Sequence, residues 1–189
     1  MPAAPHVFPD HTLDTAPAGA RPTMESVTRH LGHLPAAVGR LATSPELLAG
    51  FMKANALFTA STLDPLAREV LVLTVATRNQ CHLCVAMHTA ELHRLGADPE
   101  LVAALRGARP LADDRLEAVR RFVLEVLATA GAVAPEALTA FLDAGFTPRN
   151  ALEVVLGIGT YTMSTLANRL TGAPVDPQLA AHAWEPATA

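Results

Sequence analysis

Aromatic residues are scarce in this 189-residue chain, and so are the alternating runs of Val and Ile that would mark strands. Phe, Trp and Tyr make up 4% of the residues, whereas alanine and leucine are abundant. This composition favours helices packed on helices, so we expect an all-α fold. A hydrophobic fraction of 50% is enough to bury a sizeable core in a chain of this length, which excludes a disordered protein.

Dense clusters of Lys and Arg are also lacking, and the net charge is -4. Partners such as nucleic acid or an anionic membrane surface are therefore not expected. The longest apolar run covers only residues 70–76, which is too short to span a bilayer. Residues 1–22 show no basic leader followed by an apolar stretch, so we interpret them as a loose N-terminal arm of a cytoplasmic protein.

Helix starts are marked four times by a capping residue followed by proline. These pairs are Ser44-Pro45, Asp64-Pro65, Asp98-Pro99 and Thr147-Pro148. Further helices are expected from about Thr23 to Leu31, Asp113 to Ala130 and Pro135 to Ala144, with glycines as stops. The segment VLVLTVA alone could be a buried strand, but the Asp64-Pro65 start and the segment's length favour a helix. We therefore expect one helical domain over residues 23–176 and a C-terminal tail at residues 177–189.

The only two cysteines lie together in the middle of the chain, inside a pattern of fixed spacing. It reads Glu69, eleven residues, Cys81, two residues, Cys84, three residues and His88. In a reducing cytosol such a pair is typical of catalysis or metal binding and not of a structural disulfide. One thiolate can attack a peroxide or a disulfide, and its neighbour can then close a disulfide behind it.

A helix from 81 to 95 would place both thiols and the His88 imidazole on one face. The opposite face carries the side chains that we leave out of the site, which are His82, Thr89 and His93. Because Cys81 stands near the helix start, free backbone amides and the helix dipole would stabilise its thiolate. His88 can add a charge or take up a proton. Both groups therefore favour thiol chemistry.

Glu69 falls on the apolar face of the preceding helix. One interpretation is an acid near a helix start whose carboxylate reaches solvent or a backbone amide. The other is a buried acid suited to proton transfer, and with His88 it would deliver and remove the protons of peroxide reduction. Large apolar residues at helical spacing are usually core, so we assign no pocket role to the candidates, which are Phe51, Phe58, Phe122 and Tyr161.

Other interpretations of the four-residue pattern remain open. Cys81, Cys84, His88 and Glu69 could in number bind zinc, although structural zinc sites usually add a second Cys or His pair. The two cysteines could also be inert core residues. A non-catalytic helical oligomer, binding zinc or sensing oxidation through the pair, is thus the alternative to an enzyme. Haem attachment is excluded because Val85 follows Cys84.

At these residues the chain resembles the AhpD-like alkylhydroperoxidases of the carboxymuconolactone decarboxylase superfamily, whose signature has the same spacing. The similarity covers roughly Thr23 to Asp176, including GHLPAAVGRLATSPELL upstream and ALEVVLGIGTYTMSTLANRLTGAPVD downstream. It implies an all-helical trimer or hexamer, with the CxxC helix near subunit contacts and no metal or organic cofactor. It also implies a peroxidase or disulfide reductase that a thioredoxin-like or lipoyl-type protein reduces.

The resemblance also implies a role for each residue of the pattern. Cys84 would be the peroxidatic thiol, Cys81 the more exposed thiol that resolves it, and Glu69 and His88 the proton relay. AhpD proper has a second relay histidine directly before the second cysteine, where this chain has Leu83. The decarboxylase branch of the superfamily is less expected, because it is not expected to carry the CxxC pair.

A short internal similarity relates the first helices of the pattern to a later segment. The helix start Asp64-Pro65 and Glu69 resemble the later helix start Thr147-Pro148 and Glu153. At the offset of 84 that relates Glu69 to Glu153, Cys84 corresponds to Asn168. A degenerate repeat is thus one interpretation, and chance is the other. The later segment carries an apolar stripe that fits either monomer core or a subunit interface. Its members are Leu152, Val155, Leu156, Gly159 and Met163.

Overall fold

The computed structural model describes residues 7–185, which form nine α helices and one 3-10 helix without any strand. The all-α prediction is therefore confirmed. The helices are α1 (Arg21–Leu31), α2 (Ala36–Leu41), α3 (Pro45–Thr59), α4 (Pro65–Arg78), α5 (His82–Arg94), α6 (Pro99–Arg106), α7 (Asp114–Ala128), α8 (Pro135–Asp143) and α9 (Pro148–Thr171), followed by the 3-10 helix Pro177–His182. No helix within the described range is long and apolar enough to cross a membrane.

The four capping pairs open helices α3, α4, α6 and α9, as the sequence predicts. At each start the capping side chain accepts a hydrogen bond from a backbone N–H of the first turn, as Asp64 does from Ala67 at 2.9 Å. These bonds satisfy amides that have no partner inside the helix. The sequence gives no such signal for the six-residue α2, which was missed.

Helix α4 forms the centre of the molecule. It packs against α5, α7 and α9, and every residue from 70 to 77 is buried. A helix that is apolar on all sides must be enclosed by its neighbours, which explains why VLVLTVA resembles a strand in the sequence. This central position holds α5, and with it the CxxC pair, against α4 and near α9.

Both predicted terminal segments contact the helical domain where they are described. Asp10 bonds the buried Arg40 guanidinium at 2.6 Å, and Arg40 also donates to the carbonyl of Thr171 at the end of α9. After the 3-10 helix, the Trp184 indole donates to the Arg106 carbonyl at 3.0 Å. Residues 1–6 of the arm and 186–189 of the tail lie outside the described residues.

The apolar stripe of α9 faces solvent in the single chain. Leu152 is 73% and Val155 51% exposed, and Leu166 and Leu170 extend the same surface toward the end of the helix. Gly159 is exposed, while Leu156 and Met163 are half-buried. The monomer-core interpretation is therefore wrong for Leu152 and Val155.

Candidate active site

The CxxC pair lies at the junction of α4 and α5. Helix α4 ends at Arg78, and Gln80 turns the chain with a positive φ of 53°. Cys81 is then the capping residue of α5, and its sulfur accepts a hydrogen bond from the Cys84 backbone N–H at 3.4 Å. Because Cys84 stands three residues later, one helical turn brings the two sulfurs to 2.8 Å. Both cysteines are free thiols.

The two thiols differ strongly in acidity. The hydrogen bond that the Cys84 thiol donates lowers the pKa of Cys81, as do the Cys84 amide and the charges of Arg169 and His88, although burial opposes them. The pKa of Cys84 is raised well above its usual value by the same contact with Cys81 and by burial. When the pair loses one proton, Cys81 is therefore the thiol that carries the negative charge.

Helix α9 supplies polar contacts to the second thiol. The Asn168 side-chain amide donates to the Cys84 sulfur at 3.3 Å and to the Ser164 hydroxyl at 3.4 Å. Asn168 and Ser164 both act to lower the pKa of Cys84, against the larger effects of Cys81 and burial. A thiolate formed at Cys84 would therefore meet hydrogen-bond donors.

Glu69 and His88 form a pair beside the thiols. The His88 Nδ1 atom lies 2.8 Å from a Glu69 carboxylate oxygen, and each side chain is 13% exposed. The Tyr161 ring packs edge-on against the imidazole, with 5.1 Å between centroids. Tyr161 donates to Asn55 at 2.9 Å, and burial raises its pKa. The imidazole is therefore oriented on two sides, by the bond at Nδ1 and by the Tyr161 ring.

A cavity of about 440 Å³ opens at Cys84. Its walls are mostly aliphatic and aromatic, and its polar lining residues lie on α1 and α3 as well as on α5 and α9. The apolar lining includes Val27, Leu31, Val38, Leu41, Leu48, Phe51, Met52 and Met87, and the polar lining comprises Ser26, His30, Asn55, Cys84, His88, Tyr161, Ser164 and Asn168. A small apolar molecule with one reactive polar group fits such a site.

A second, more polar cleft of about 390 Å³ lies on the other side of His88. Glu69 lines this cleft together with Arg68, Glu91 and Arg94. His88 and Tyr161 line both spaces, so the imidazole stands in the wall between them. The hydrogen-bonded pair of Glu69 and His88 thus reaches from the polar cleft to the cavity that Cys84 lines.

The structure corrects two details of the sequence-based interpretation. Neither thiol is exposed in the single chain, since Cys81 is 1% and Cys84 2% exposed, so an exposed Cys81 is not what the structure shows. Thr89 was placed on the outer face of its helix but is buried, where it accepts a hydrogen bond from Arg106. Helix α5 is thus covered on more than one side, since a neighbouring helix and the 3-10 helix both pack on it.

The zinc interpretation finds no supporting geometry. Across residues 7–185, no three His, Cys, Asp or Glu side chains converge closely enough to hold a metal ion. In particular, Glu69 and His88 bond each other, and the two cysteine sulfurs do likewise. The four residues therefore form two pairs and not one tetrahedral set of ligands.

Sequence reasoning missed the contribution of α9 to the site. Tyr161, Ser164 and Asn168 all line the cavity at Cys84, from a helix that lacks cysteine and histidine. Two signals were available. Tyr161 was a pocket candidate to which no role was assigned, and the internal offset relates Cys84 to Asn168, whose side chains are in contact. In contrast, the counterpart of Glu69 has a different setting, because Glu153 bonds Thr62 and Asn150 away from the thiols.

The acidity of Cys81 should depend on the donor at position 84. In Cys84→Ala, Cys81 is the only cysteine, and we expect its pKa to rise because the thiol donor is lost while burial remains. Cys84→Ser keeps a hydroxyl donor and should raise the pKa less. Ultraviolet absorbance of the thiolate against pH measures both values. Equal values in the two variants would contradict the proposed donor.

The comparisons with known proteins agree with this architecture. Residues 45–125 match the model of the Carboxymuconolactone decarboxylase family. The fold is similar to the AhpD core of an uncharacterized peroxidase-related protein from Ralstonia eutropha JMP134, with a TM-score of 0.81 and 21% identity over 94% of this chain and 96% of that one. The chain has the AhpD-like fold, and its residues 45–125 are similar to the carboxymuconolactone decarboxylase family. No curated protein matches its sequence.

Other solved structures share the AhpD-like fold. An uncharacterized peroxidase-related protein from Silicibacter sp. TM1040 has a TM-score of 0.76 and 20% identity, over 95% of this chain and 96% of that one. The debrominase Bmp8, in a Cys-to-Ala variant with 2,3,4-tribromopyrrole, has a TM-score of 0.69 and 14% identity over the same shares. At these identities the similarity concerns the fold, and the superfamily contains enzymes of more than one kind.

Proposed function

We propose that this AhpD-like protein is a thiol-dependent peroxidase that reduces small organic hydroperoxides through Cys84 and Cys81. The observation that carries the proposal is the position of Cys84, whose thiol lines an apolar cavity beside a hydrogen-bonded imidazole and 2.8 Å from a second thiol. A nucleophile (Cys84), a resolving thiol (Cys81) and a proton donor (His88) are thus close together, beside an apolar cavity that suits an alkyl group.

The first step is attack by the Cys84 sulfur on the terminal oxygen of the hydroperoxide. The proton of Cys84 passes to the Cys81 thiolate, which is 2.8 Å away, so that Cys84 becomes the nucleophile. An S–O bond forms and the O–O bond breaks, which leaves Cys84 as a sulfenic acid and releases an alkoxide. The cavity lining, and not acidity alone, selects Cys84, because Cys81 does not line this cavity.

The following steps complete the reduction. The alkoxide takes a proton from His88, whose Nδ1 bond to Glu69 stabilises the charged imidazole. Cys81 loses its proton and attacks the Cys84 sulfur, which forms the disulfide and releases the oxygen as water. A dithiol of the thioredoxin or lipoyl type then reduces the disulfide and returns two electrons and two protons.

Burial of both thiols bears on the choice between small and large substrates. A folded protein disulfide would need direct access to a sulfur, whereas neither thiol exceeds 2% exposure in the single chain. The cavity instead admits a small molecule to Cys84. Peroxide reduction is therefore favoured over reduction of protein disulfides, and a slender dithiol arm suits the reducing step better than a flat protein surface.

Steady-state consumption of tert-butyl hydroperoxide, with dithiothreitol as reductant, tests the proposal in the metal-free wild type. We expect catalytic turnover that saturates with hydroperoxide and formation of one disulfide per chain. Absence of consumption above the buffer rate, while both thiols react freely with a thiol reagent, would contradict it.

A second candidate is reduction of a carbon–halogen bond by the same thiol pair. Two observations favour it, namely the aromatic side chains of Phe51 and Tyr161 in the cavity wall and the fold shared with a debrominase bound to a brominated pyrrole. One thiolate would take the halogen, the ring carbon would gain a proton, and the second thiol would displace halide to form the disulfide. Bromide release from a bromopyrrole under reducing conditions distinguishes this activity from hydroperoxide consumption.

We also propose that the exposed apolar face of α9 joins copies of this chain. Single exposed apolar residues are ordinary, but Leu152, Val155, Leu166 and Leu170 share one helix and are each more than half exposed. The trimer or hexamer implied by the sequence resemblance would cover them.

A charge on this face should therefore break the assembly. In sedimentation velocity we expect the wild type to be oligomeric and the variant Leu152→Glu with Leu170→Glu to sediment as a monomer. Leu138→Glu, an exposed leucine on α8, is the matched control and should keep the oligomer. A wild type that stays monomeric at all concentrations would contradict the proposal.

A further inference from the structure

Asn168 has a hydrogen-bonding capacity that the protein itself does not use. The residue is 4% exposed, and its amide nitrogen donates to the Cys84 sulfur. Its Oδ1 atom, in contrast, is buried and has no hydrogen-bond partner among the described residues. Buried polar atoms are almost always paired, because an unpaired one loses its hydration without compensation. An acceptor left open beside a reactive sulfur therefore indicates a group that binds there.

The position of Asn168 restricts what that group can be. Asn168 lines the cavity at Cys84, together with His88 and Ser164. A molecule that satisfies Oδ1 must carry a hydrogen-bond donor and must fit beside apolar walls. A hydroperoxide has one O–H donor, on the same terminal oxygen that the sulfur attacks. Water, an alcohol and a sulfenic acid also carry O–H donors, and all three are formed in the course of the proposed reaction.

We propose that Asn168 positions the hydroperoxide for attack, with Nδ2 holding the Cys84 sulfur and Oδ1 accepting the O–H of the terminal oxygen. This inference rests on the proposed peroxidase function and adds a positioning residue to it. One planar amide contacts both reacting atoms, so it fixes their approach without exchanging a proton itself. The S–O bond forms between the two atoms that the amide holds, and the alkoxide leaves toward the cavity with a proton from His88.

The test compares two oxidants of the reduced protein in single-turnover experiments. Tert-butyl hydroperoxide offers an O–H to Oδ1, whereas diamide oxidises the same thiol pair without an O–H. In Asn168→Leu we expect the ratio of the hydroperoxide rate to the diamide rate to fall roughly 10-fold or more, as the loss of one hydrogen bond in the transition state predicts. General damage to the thiols would slow both oxidants and leave this ratio unchanged.

Three further variants make the result specific. Asn168→Asp keeps an acceptor oxygen but loses the amide donor, so both rates should fall and the ratio should fall less than in Asn168→Leu. Thr171→Val is the matched control, because Thr171 is a buried polar residue of α9 whose hydroxyl bonds only helix carbonyls. Its ratio should equal that of the wild type. Asn168→Ala replaces the leucine variant if the latter does not fold.

The possible failures are distinguishable. In one failure, both oxidants oxidise the wild type, but Asn168→Leu changes the ratio of the hydroperoxide rate to the diamide rate less than twofold. That result would overturn the role of Asn168 and would not contradict the peroxidase function. A wild type that diamide oxidises and the hydroperoxide does not would overturn the peroxidase, and the role of Asn168 with it.

Discussion

Replacing Cys84 with serine should abolish hydroperoxide turnover, with a loss of roughly 10³-fold or more, because an enzyme that loses its nucleophile loses the covalent route. Cys84 is the thiol that lines the cavity, and the substitution replaces its sulfur with a smaller and far less nucleophilic oxygen. Consumption of tert-butyl hydroperoxide under excess dithiol measures the effect. Retained turnover in Cys84→Ser would place the nucleophile elsewhere.

Cys81→Ser is the matched variant, since it removes the other sulfur of the pair. It should still react once with hydroperoxide, but more slowly, because the thiolate that takes the proton of Cys84 is missing. The reaction should stop at a sulfenic acid that a dimedone probe can trap. Trapping the sulfenic acid therefore separates attack on the peroxide from formation of the disulfide. Steady-state turnover alone would not separate them, because it should be lost in both serine variants.

Removing the proton relay should give the second-largest loss. His88→Asn or Glu69→Gln should lower the rate of hydroperoxide reduction roughly 10²-fold or more, the usual range for a general acid. The imidazole stands between the polar cleft and the cavity, and the carboxylate holds its Nδ1 atom at 2.8 Å. Cumene hydroperoxide releases a more acidic alcohol than tert-butyl hydroperoxide, and such an alkoxide leaves more readily without a proton donor. The loss of rate in these variants should therefore be smaller with cumene hydroperoxide.

Glu153→Gln is the control for Glu69→Gln, because it makes the same change at the corresponding position of the internal similarity. Burial alone would raise the pKa of Glu153, but bonds from Thr62, Asn150 and Arg149 hold it below its usual value. This stabilisation is present at neutral pH and is lost as the pH falls through the pKa of the folded state. We expect a lower free energy of unfolding, by about 1–3 kcal/mol, and an unchanged chemical step. Loss of turnover in this variant and not in Glu69→Gln would contradict the relay.

Much of the fold, and the part of the site that α4 and α5 provide, can be predicted from interactions between residues that are close in the sequence. Capping residues before proline mark helix starts whatever the rest of the chain does, so Asp64 and Thr147 predicted their helices correctly. The CxxC spacing likewise fixes the distance between two thiols within one helical turn. Glu69 and His88 meet because α4 and α5 are consecutive and pack together.

The second half of the site depends on contacts between distant parts of the chain. Asn168 reaches Cys84 across 84 positions, and asparagine in a helix has many uses that do not involve a thiol. Burial of Cys81 depends on how α5 and its neighbours pack, and an isolated helical wheel does not contain that information. The sequence predicted a stabilised thiolate at Cys81, but not the raised pKa of Cys84, which follows from its contact with Cys81 and from burial.

Intact-mass spectrometry after one equivalent of tert-butyl hydroperoxide tests the central claim most directly, applied to the reduced wild type and to the two serine variants. The account predicts that the wild type loses the mass of two hydrogens, that Cys81→Ser gains the mass of one oxygen, and that Cys84→Ser is unchanged. Gain of oxygen in Cys84→Ser, with Cys81→Ser unchanged, would contradict the account, because Cys81 and not the cavity-lining Cys84 would then be the thiol that attacks the peroxide.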